Sequence, residues 1–212
     1  MHPHLRARPA RLLIHKVVLV SLILASSSAI RRQMLCAAGV AHDAVASAVN
    51  EESIKATSLD PSQMTAELAS AKALSVSRQS PDAWVIGSDS SISVGGKSFD
   101  KPSSRETAAE HLRAFSGQSM QLTSAVALAR AGTVDWHRVE VATLHVRPLS
   151  AAFIESYLDA EWPEVGYCVG VFRMEGRGVQ LFDWVDGDHF TILGMPLLPL
   201  LGALRERGLL PE

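Results

Sequence analysis

From Val17 to Ala25 the chain is apolar and rich in β-branched residues, broken only by Ser21, and it stops at the three serines Ser26, Ser27 and Ser28. That pattern predicts a buried strand, and the segment after it predicts a helix closed by Gly39. A short apolar run, Trp84-Val85-Ile86-Gly87, predicts a second buried strand. Ser91–Val94 and Lys97–Phe99 flank Gly95-Gly96, a hairpin signature. Leu122–Ala129 and Val134–Val146 predict two longer strands around Ala131-Gly132, and Val179–Val185 and His189–Leu193 two more around Asp186-Gly187. Helices are predicted between them. Pro61–Ser77 has Asp60 as its N-cap and proline in its first turn. Ser103 with Glu106 makes a capping box for a helix ending near Gly117. Ser150 caps a helix through about Ala160, and Pro196–Arg207 stops at Gly208. Helices interleaved with hairpins imply an α/β fold built on a mixed sheet.

Length and composition narrow the possibilities. A chain of 212 residues that is 47% hydrophobic can bury one sizeable core, so residues 17–212 are expected to form a single domain. Residues 1–16, with Arg6, Arg8, Arg11 and Lys16, read as a disordered basic extension. Basic residues ahead of Val17–Leu24 and a small-residue patch imitate a secretory signal. Arg31 and Arg32 follow at once, however, and the two cysteines, Cys36 and Cys168, offer no disulfide framework. The expected location is the cytoplasm. No apolar run is long enough to span a bilayer, so no membrane partner is expected. A net charge of −2 argues against a dedicated nucleic-acid binder. With no C-x-x-C and no H-E-x-x-H, a structural zinc site is not expected either.

The candidate chemistry lies at element ends. Arg31 and Arg32 fall in the first turn of the helix after the serines, where the helix dipole disfavours cations. Serine hydroxyls, free backbone N–H groups and two guanidinium groups together make an anion site, with a polyphosphate as the obvious ligand. The plainer reading is two solvated surface arginines. Asp89 is expected at the end of the strand at residues 84–87, where α/β sheets bind ligands. A carboxylate there can hold a divalent cation or take a proton from water; it can also merely form a turn. Glu51 and Glu52, Lys72, Lys101 before Pro102, and the turn Glu175-Gly176-Arg177-Gly178 each have an ordinary surface reading when taken alone.

Taken in order they are specific. The set Ser28-x-x-Arg31-Arg32, Asn50-Glu51, Leu68-Ala69-x-x-Lys72-Ala73, Ile86-Gly87-Ser88-Asp89, Asp100-Lys101-Pro102, Ser116-Gly117, Glu175-Gly176-Arg177-Gly178, Gly187-Asp188 and Gly194-Met195-Pro196-Leu197 resembles the Maf family of nucleoside triphosphate pyrophosphatases. The resemblance runs from about Val17 to Gly208. It implies a fold like that of the inosine-triphosphate pyrophosphatases: a mixed, elongated sheet flanked by helices, in two lobes around a cleft. It implies hydrolysis of the α–β phosphoanhydride to a monophosphate and pyrophosphate with Mg²⁺ or Mn²⁺, and a homodimer. By the same resemblance Ser28 and Arg31 bind phosphate. Lys72 and Lys101 offset its charge, and Asp89 and Glu51 hold the metal or orient the attacking water.

The chain departs from the family pattern in places that bear on substrate. Asn50 stands where an aspartate is usual, and Gln118 where an arginine often follows Ser-Gly. The subfamily acting on dTTP and UTP carries Ser-Pro-Arg-Arg, Asp-Thr and a Gln-Gly turn. The subfamily acting on 7-methyl-GTP carries Ser-Pro-Trp-Arg-Arg, Asp-Gln and Glu-Gly. At these three places this chain has Ile30, Ser90 and Glu175. Ile30 and Ser90 match neither; Glu175 sides with the 7-methyl-GTP type, because a carboxylate pairs with a guanine edge or a cationic base. The expected substrate is a modified or non-canonical nucleotide resembling 7-methyl-GTP, with dTTP or UTP as the alternative. A non-catalytic nucleotide-binding regulator of cell division is the rival of another class; only the enzyme needs Asp89 together with a divalent ion.

Overall fold

The computed structural model describes residues 21–56 and 60–211. The expectation for residues 1–16 and the first part of the predicted run from Val17 lie outside them. Strand β1 (Leu22–Leu24) enters the core at once and turns through the serines into helix α1 (Ala29–Ala37). Gly39, at φ +71°, ends that helix as expected: its N–H bonds to Cys36 O, and Val40 N–H to Leu35 O. The chain returns as β2 (Asp43–Ala44), parallel to β1. Helix α2 (Glu51–Lys55) follows, capped by Asn50, whose Oδ1 accepts from Ser53 N–H. Helix α3 (Pro61–Ser77) starts as predicted, with Asp60 accepting from the N–H groups of Ser62 and Gln63.

Strand β3 (Trp84–Val94) is where expectation and structure part. One strand of 11 residues runs through Gly87-Ser88-Asp89-Ser90, which the pattern had read as its end. Turn-forming residues stay extended there because β5 (Ser119–Arg130) pairs antiparallel with β3 along its whole length, from Trp84↔Arg130 to Val94↔Met120. Asp89 is therefore mid-strand. The hairpin to β4 (Lys97–Phe99) turns at Gly95 and Gly96, both at positive φ, as predicted.

Helix α4 (Arg105–Phe115) is capped one residue later than expected, by Ser104 rather than Ser103, because the Ser104 hydroxyl reaches Thr107 N–H. Strand β6 (Thr133–Val146) pairs with β5, and α5 (Ala151–Glu161) starts at Ser150. Strand β7 (Phe182–Asp186) closes the sheet. His189–Leu193 is not the predicted strand but helix α6. Its aromatic and β-branched residues suit a strand, yet Asp188 accepts from Thr191 N–H and Gly194 ends the turn at φ +108°, two local bonds that outweigh side-chain preference. Helix α7 (Leu197–Glu206) completes the chain, with Gly208 at φ +66° beyond it.

The strands form one sheet in the order β2-β1-β3-β5-β6-β7, with β4 also on β3. β2, β1 and β3 are parallel and the other pairings antiparallel, so the sheet is mixed as expected. Two lobes share it. One packs α1 and α7 on one face, through Leu35, Ile86, Leu128 and Leu204, and α3 on the other, through Ala69, Ala73, Val85 and Ala127. The second gathers Leu112, Phe115, Met120, Leu144 and Leu158 around α4 and α5. Each fully buried leucine or phenylalanine contributes roughly 1.5–3 kcal/mol.

Between the lobes β3 has an open edge. β1 covers it only at Leu22↔Trp84 to Leu24↔Ile86, and β4 only from Ile92 onward. On the α3 face, Gly87 lets the helix come close. A Cβ at Gly87 would overlap the Ala69 carbonyl oxygen and sit 2.5 Å from the Ala73 nitrogen. Gly87→Ala is expected to cost on the order of 3 kcal/mol by pushing α3 off the sheet, roughly 6–12 °C in a melting curve. An unchanged Tm would show that α3 does not depend on this approach.

Candidate active site

The alternation of β3 sends Val85, Gly87, Asp89 and Ser91 toward α3, and Ile86, Ser88 and Ser90 the other way. On the α3 side, Thr65, Ala69, Lys72 and Ala73 recur at helical spacing, so the helix lays a lysine against the middle of the strand. Lys72 Nζ donates to Asp89 Oδ1 at 2.6 Å and lies 2.8 Å from Glu51 Oε1. The Lys72 and Asp89 side chains are 10% and 13% exposed; Glu51, on the first residue of α2, is 43% exposed and faces the opening. One buried ammonium thus holds two carboxylates from two other elements. Burial alone would raise the Glu51 carboxyl. The hydrogen bond and charge of Lys72, helped by Lys55 and Lys101, nevertheless hold it below its ordinary value.

Arg31 fills the open edge. β1 ends with Ala25 N–H bonded to Ile86 O, so the next carbonyl along that edge, Ser88 O, has no strand partner. Arg31 Nη1 takes it at 2.8 Å. Arg31 Nε donates to Gly194 O at 2.9 Å, and Nη2 to Ser90 Oγ at 3.0 Å. Three of the five N–H bonds of the guanidinium are thereby fixed, and two are left. Burial lowers this group from its ordinary value, and the charges of Asp89 and Glu51 draw it back. Ser28 is the N-cap of α1, and its hydroxyl makes no capping bond.

Lys101 is exposed, and its charge reaches both Glu51 and Cys168. Burial pushes the Cys168 thiol up to about 11; Glu175 adds to this, and Lys101 and Arg173 oppose it. Glu175, on the turn Glu175–Gly178, is also exposed. Lys55 and Asp100 form an ion pair of 2.5 Å beside Lys101. Ile30 is placed elsewhere: with Met34, Phe190, Leu193 and Leu201 it lines an apolar cavity of about 350 Å³ between α1, α6 and α7. Among the described residues no three His, Cys, Asp or Glu side chains converge as a metal-binding group, and no helix is long and apolar enough to cross a membrane.

The comparison with known proteins concerns the chain as a whole. The family described as Maf-like protein matches residues 21–207. The chain belongs to the Maf-like family. A protein of Rhizobium meliloti named 7-methyl-GTP pyrophosphatase is 44% identical over 191 residues, 88% of this chain and 96% of its own. A nucleoside triphosphate pyrophosphatase of Sphingopyxis alaskensis is 43% identical over 198 residues, 91% of this chain and 100% of its own. The solved dITP/XTP pyrophosphatase of Mycobacterium abscessus aligns with a TM-score of 0.37 and 13% identity, over 90% of this chain and 96% of its own. At that distance the fold stands on this chain's own strands and helices.

Reasoning from the sequence missed Ser88, Ser124 and the carbonyl of Gly194 as partners of the site. Gly194-Met195-Pro196 was visible only as a family motif; nothing local shows that its carbonyl meets an arginine 163 residues away.

The depressed Glu51 carboxyl has a pH consequence. Its folded value lies below its unfolded one, so it contributes stability above the ordinary glutamate value of 4.5 that is lost as pH falls through the folded value. Below pH ~4.5 the urea midpoint of the wild type should fall more steeply than that of Glu51→Gln. Parallel curves would show that the Lys72 contact does not stabilise the fold.

Proposed function

We propose that this Maf-like chain is a nucleoside triphosphate pyrophosphatase, with its phosphate end at Arg31, Lys72, Asp89 and Glu51 and its base end at Glu175. The observation that carries this reading is the single ammonium of Lys72 holding both Glu51 and Asp89, beside a guanidinium already fixed on three sides. Cleaving a phosphoanhydride asks a protein mainly to neutralise charge and to fix geometry. Arg31 has two N–H bonds left for phosphate oxygens, and needs no reorganisation to offer them. The first-turn N–H groups of α1 and the Ser28 hydroxyl add donors that carry no counter-charge. Lys101, whose charge reaches Glu51, adds to the positive lining.

The two carboxylates suit a Mg²⁺ or Mn²⁺ ion. Both are hard oxygen donors, both face one point already occupied by a cation, and ions of this kind are commonly held by one or two carboxylates with substrate phosphates and water as the remaining ligands. Glu51 and Asp89 would hold the ion, which when bound supplies charge neutralisation and a more acidic water. Lys72 holds the two carboxylates aimed at the same place, and its hydrogen bond and charge favour the ionised form of Glu51. Asp89, the more deeply buried of the two, is positioned to accept a proton from the attacking water or to hold the ion. Asp89→Asn keeps the shape and removes the charge. Pyrophosphate release should fall by about 10²–10⁴, with Tm within a few degrees of wild type. Retention of most of the activity would overturn the mechanism.

Substrate choice rests on Glu175. An exposed carboxylate whose charge reaches Cys168 suits the N1–H and N2–H edge of a guanine, or the positive charge of a 7-methylated base. The R. meliloti relative carries the same substrate in its name. Glu175→Gln should lower kcat/KM for 7-methyl-GTP by roughly 10–100-fold and leave dTTP and UTP unchanged or improved. A uniform loss on all three nucleotides accompanied by a lower Tm would mean that Glu175 only braces its turn. A wild-type preference for dTTP would transfer the assignment to the pyrimidine type.

A further inference from the structure

Ser90 occupies a position at which, by resemblance, the base-selecting subfamilies differ, and its geometry points to another task. It follows Asp89 on a strand, so its side chain leaves by the opposite face. There its hydroxyl oxygen accepts from Arg31 Nη2 at 3.0 Å and lies 2.9 Å from Ser124 Oγ and 3.1 Å from Gly194 O. Ser124 Oγ in turn donates to Thr191 O, the backbone of α6, at 2.8 Å.

The proton order along this row is determined. Arg31 can only donate and the Thr191 carbonyl can only accept. Ser124 spends its single proton on Thr191, so toward Ser90 it presents a lone pair. Ser90 must therefore send its proton to Ser124 or to Gly194 O, and keeps a lone pair for Arg31. The far end of the row is anchored twice: Thr191 N–H bonds to Asp188 Oδ1 at 2.9 Å, and Thr191 Oγ1 donates to Glu140 Oε2 at 2.9 Å. Gly194 closes the cage from above, and the space is tight, since a Cβ there would lie 3.2 Å from Ser90 Oγ.

We propose that Ser90 is a positioning residue that aims the Arg31 guanidinium, through the row Arg31–Ser90–Ser124–Thr191, at the triphosphate, whatever base the nucleotide carries. This rests on the reading of Arg31 as a phosphate ligand. It makes the phosphate clamp a property of four separate elements, α1, β3, β5 and α6, and removes Ser90 from the contacts that select the base.

The test compares wild type with Ser90→Ala, Ser90→Cys and Ser90→Thr. Steady-state kinetics are measured on 7-methyl-GTP, dTTP and UTP, and binding of inorganic tripolyphosphate, which has no base, by calorimetry. Ser90→Ala should raise KM for all three nucleotides and Kd for tripolyphosphate by one common factor, roughly 5–10-fold. Ser90→Cys, nearly isosteric and a weak acceptor, should do the same in a chain that keeps its shape. Ser90→Thr, which restores the hydroxyl, should recover the wild-type values. A loss confined to one base with tripolyphosphate binding unchanged would assign Ser90 to base selection and overturn the proposal. So would no loss in either variant. Should no nucleotide release pyrophosphate, the pyrophosphatase reading fails, and the tripolyphosphate arm still decides what Ser90 does to Arg31.

Discussion

The candidate site exists because β3 is longer than its neighbours on one edge. β1 leaves it after Ile86 and β4 rejoins it at Ile92, so the backbone from Gly87 to Ser91 is paired by β5 on one side only. A buried carbonyl without a partner is costly, and Ser88 O is such a group. Arg31 meets that demand, and in doing so brings a cation to the sheet edge between the lobes. A side chain thus continues the ladder that a strand abandoned, and the structural need and the site's electrostatics are satisfied by the same bond.

The two faces of the strand then divide the work. Toward α3 the strand presents Asp89, and the close approach permitted by Gly87 sets Lys72 at bonding distance from it. Toward α6 the strand presents Ser90, which with the Gly194 carbonyl holds Arg31. Lys72 and Arg31 are both buried or half-buried cations, which a protein tolerates only with partners close by. Lys72 has two carboxylates. Arg31 has carbonyls and a hydroxyl for direct bonds, and feels the same two carboxylates through space. The two cations and two carboxylates balance closely enough to be buried.

Position along the cleft follows from this core. Glu51 arrives on the first turn of a short helix capped by Asn50 and stays half-exposed, so it is the carboxylate that meets solvent. Lys101 and Glu175 are both exposed, and the charges of both reach Cys168 with opposite effect. The groups proposed to take the phosphates, Arg31, Lys72, Glu51 and Asp89, come from α1, α3, α2 and β3, and Glu175, proposed to meet the base, sits outside those elements. Such an arrangement permits the base contact to vary without disturbing the phosphate contacts.

The sequence by itself determined most elements and their caps, because the signals are local. Asp60 and Ser150 cap the helices they precede, and Gly39, Gly95, Gly96 and Gly208 adopt the positive φ that their places demand. The ordered motifs also identified Glu51, Lys72, Asp89 and Arg31 as candidates, and the fold brings those four together. Tertiary structure decided what no local signal contains. Gly87–Ser90 has turn composition and is extended because β5 pairs with it throughout. His189–Leu193 has strand composition and is helical because Asp188 and Gly194 close its ends. Ser90 faces away from Asp89 because successive residues of a strand point to opposite sides, a fact hidden as long as Asp89 was read as the end of the strand. Ile30 joins an apolar cavity because α1 lays that face on α6 and α7. For Gly87–Ser90 and for Ile30 the deciding contacts join residues far apart in the chain and their energy has no signature in the local pattern, whereas the ends of His189–Leu193 are closed by local bonds that outweigh side-chain preference.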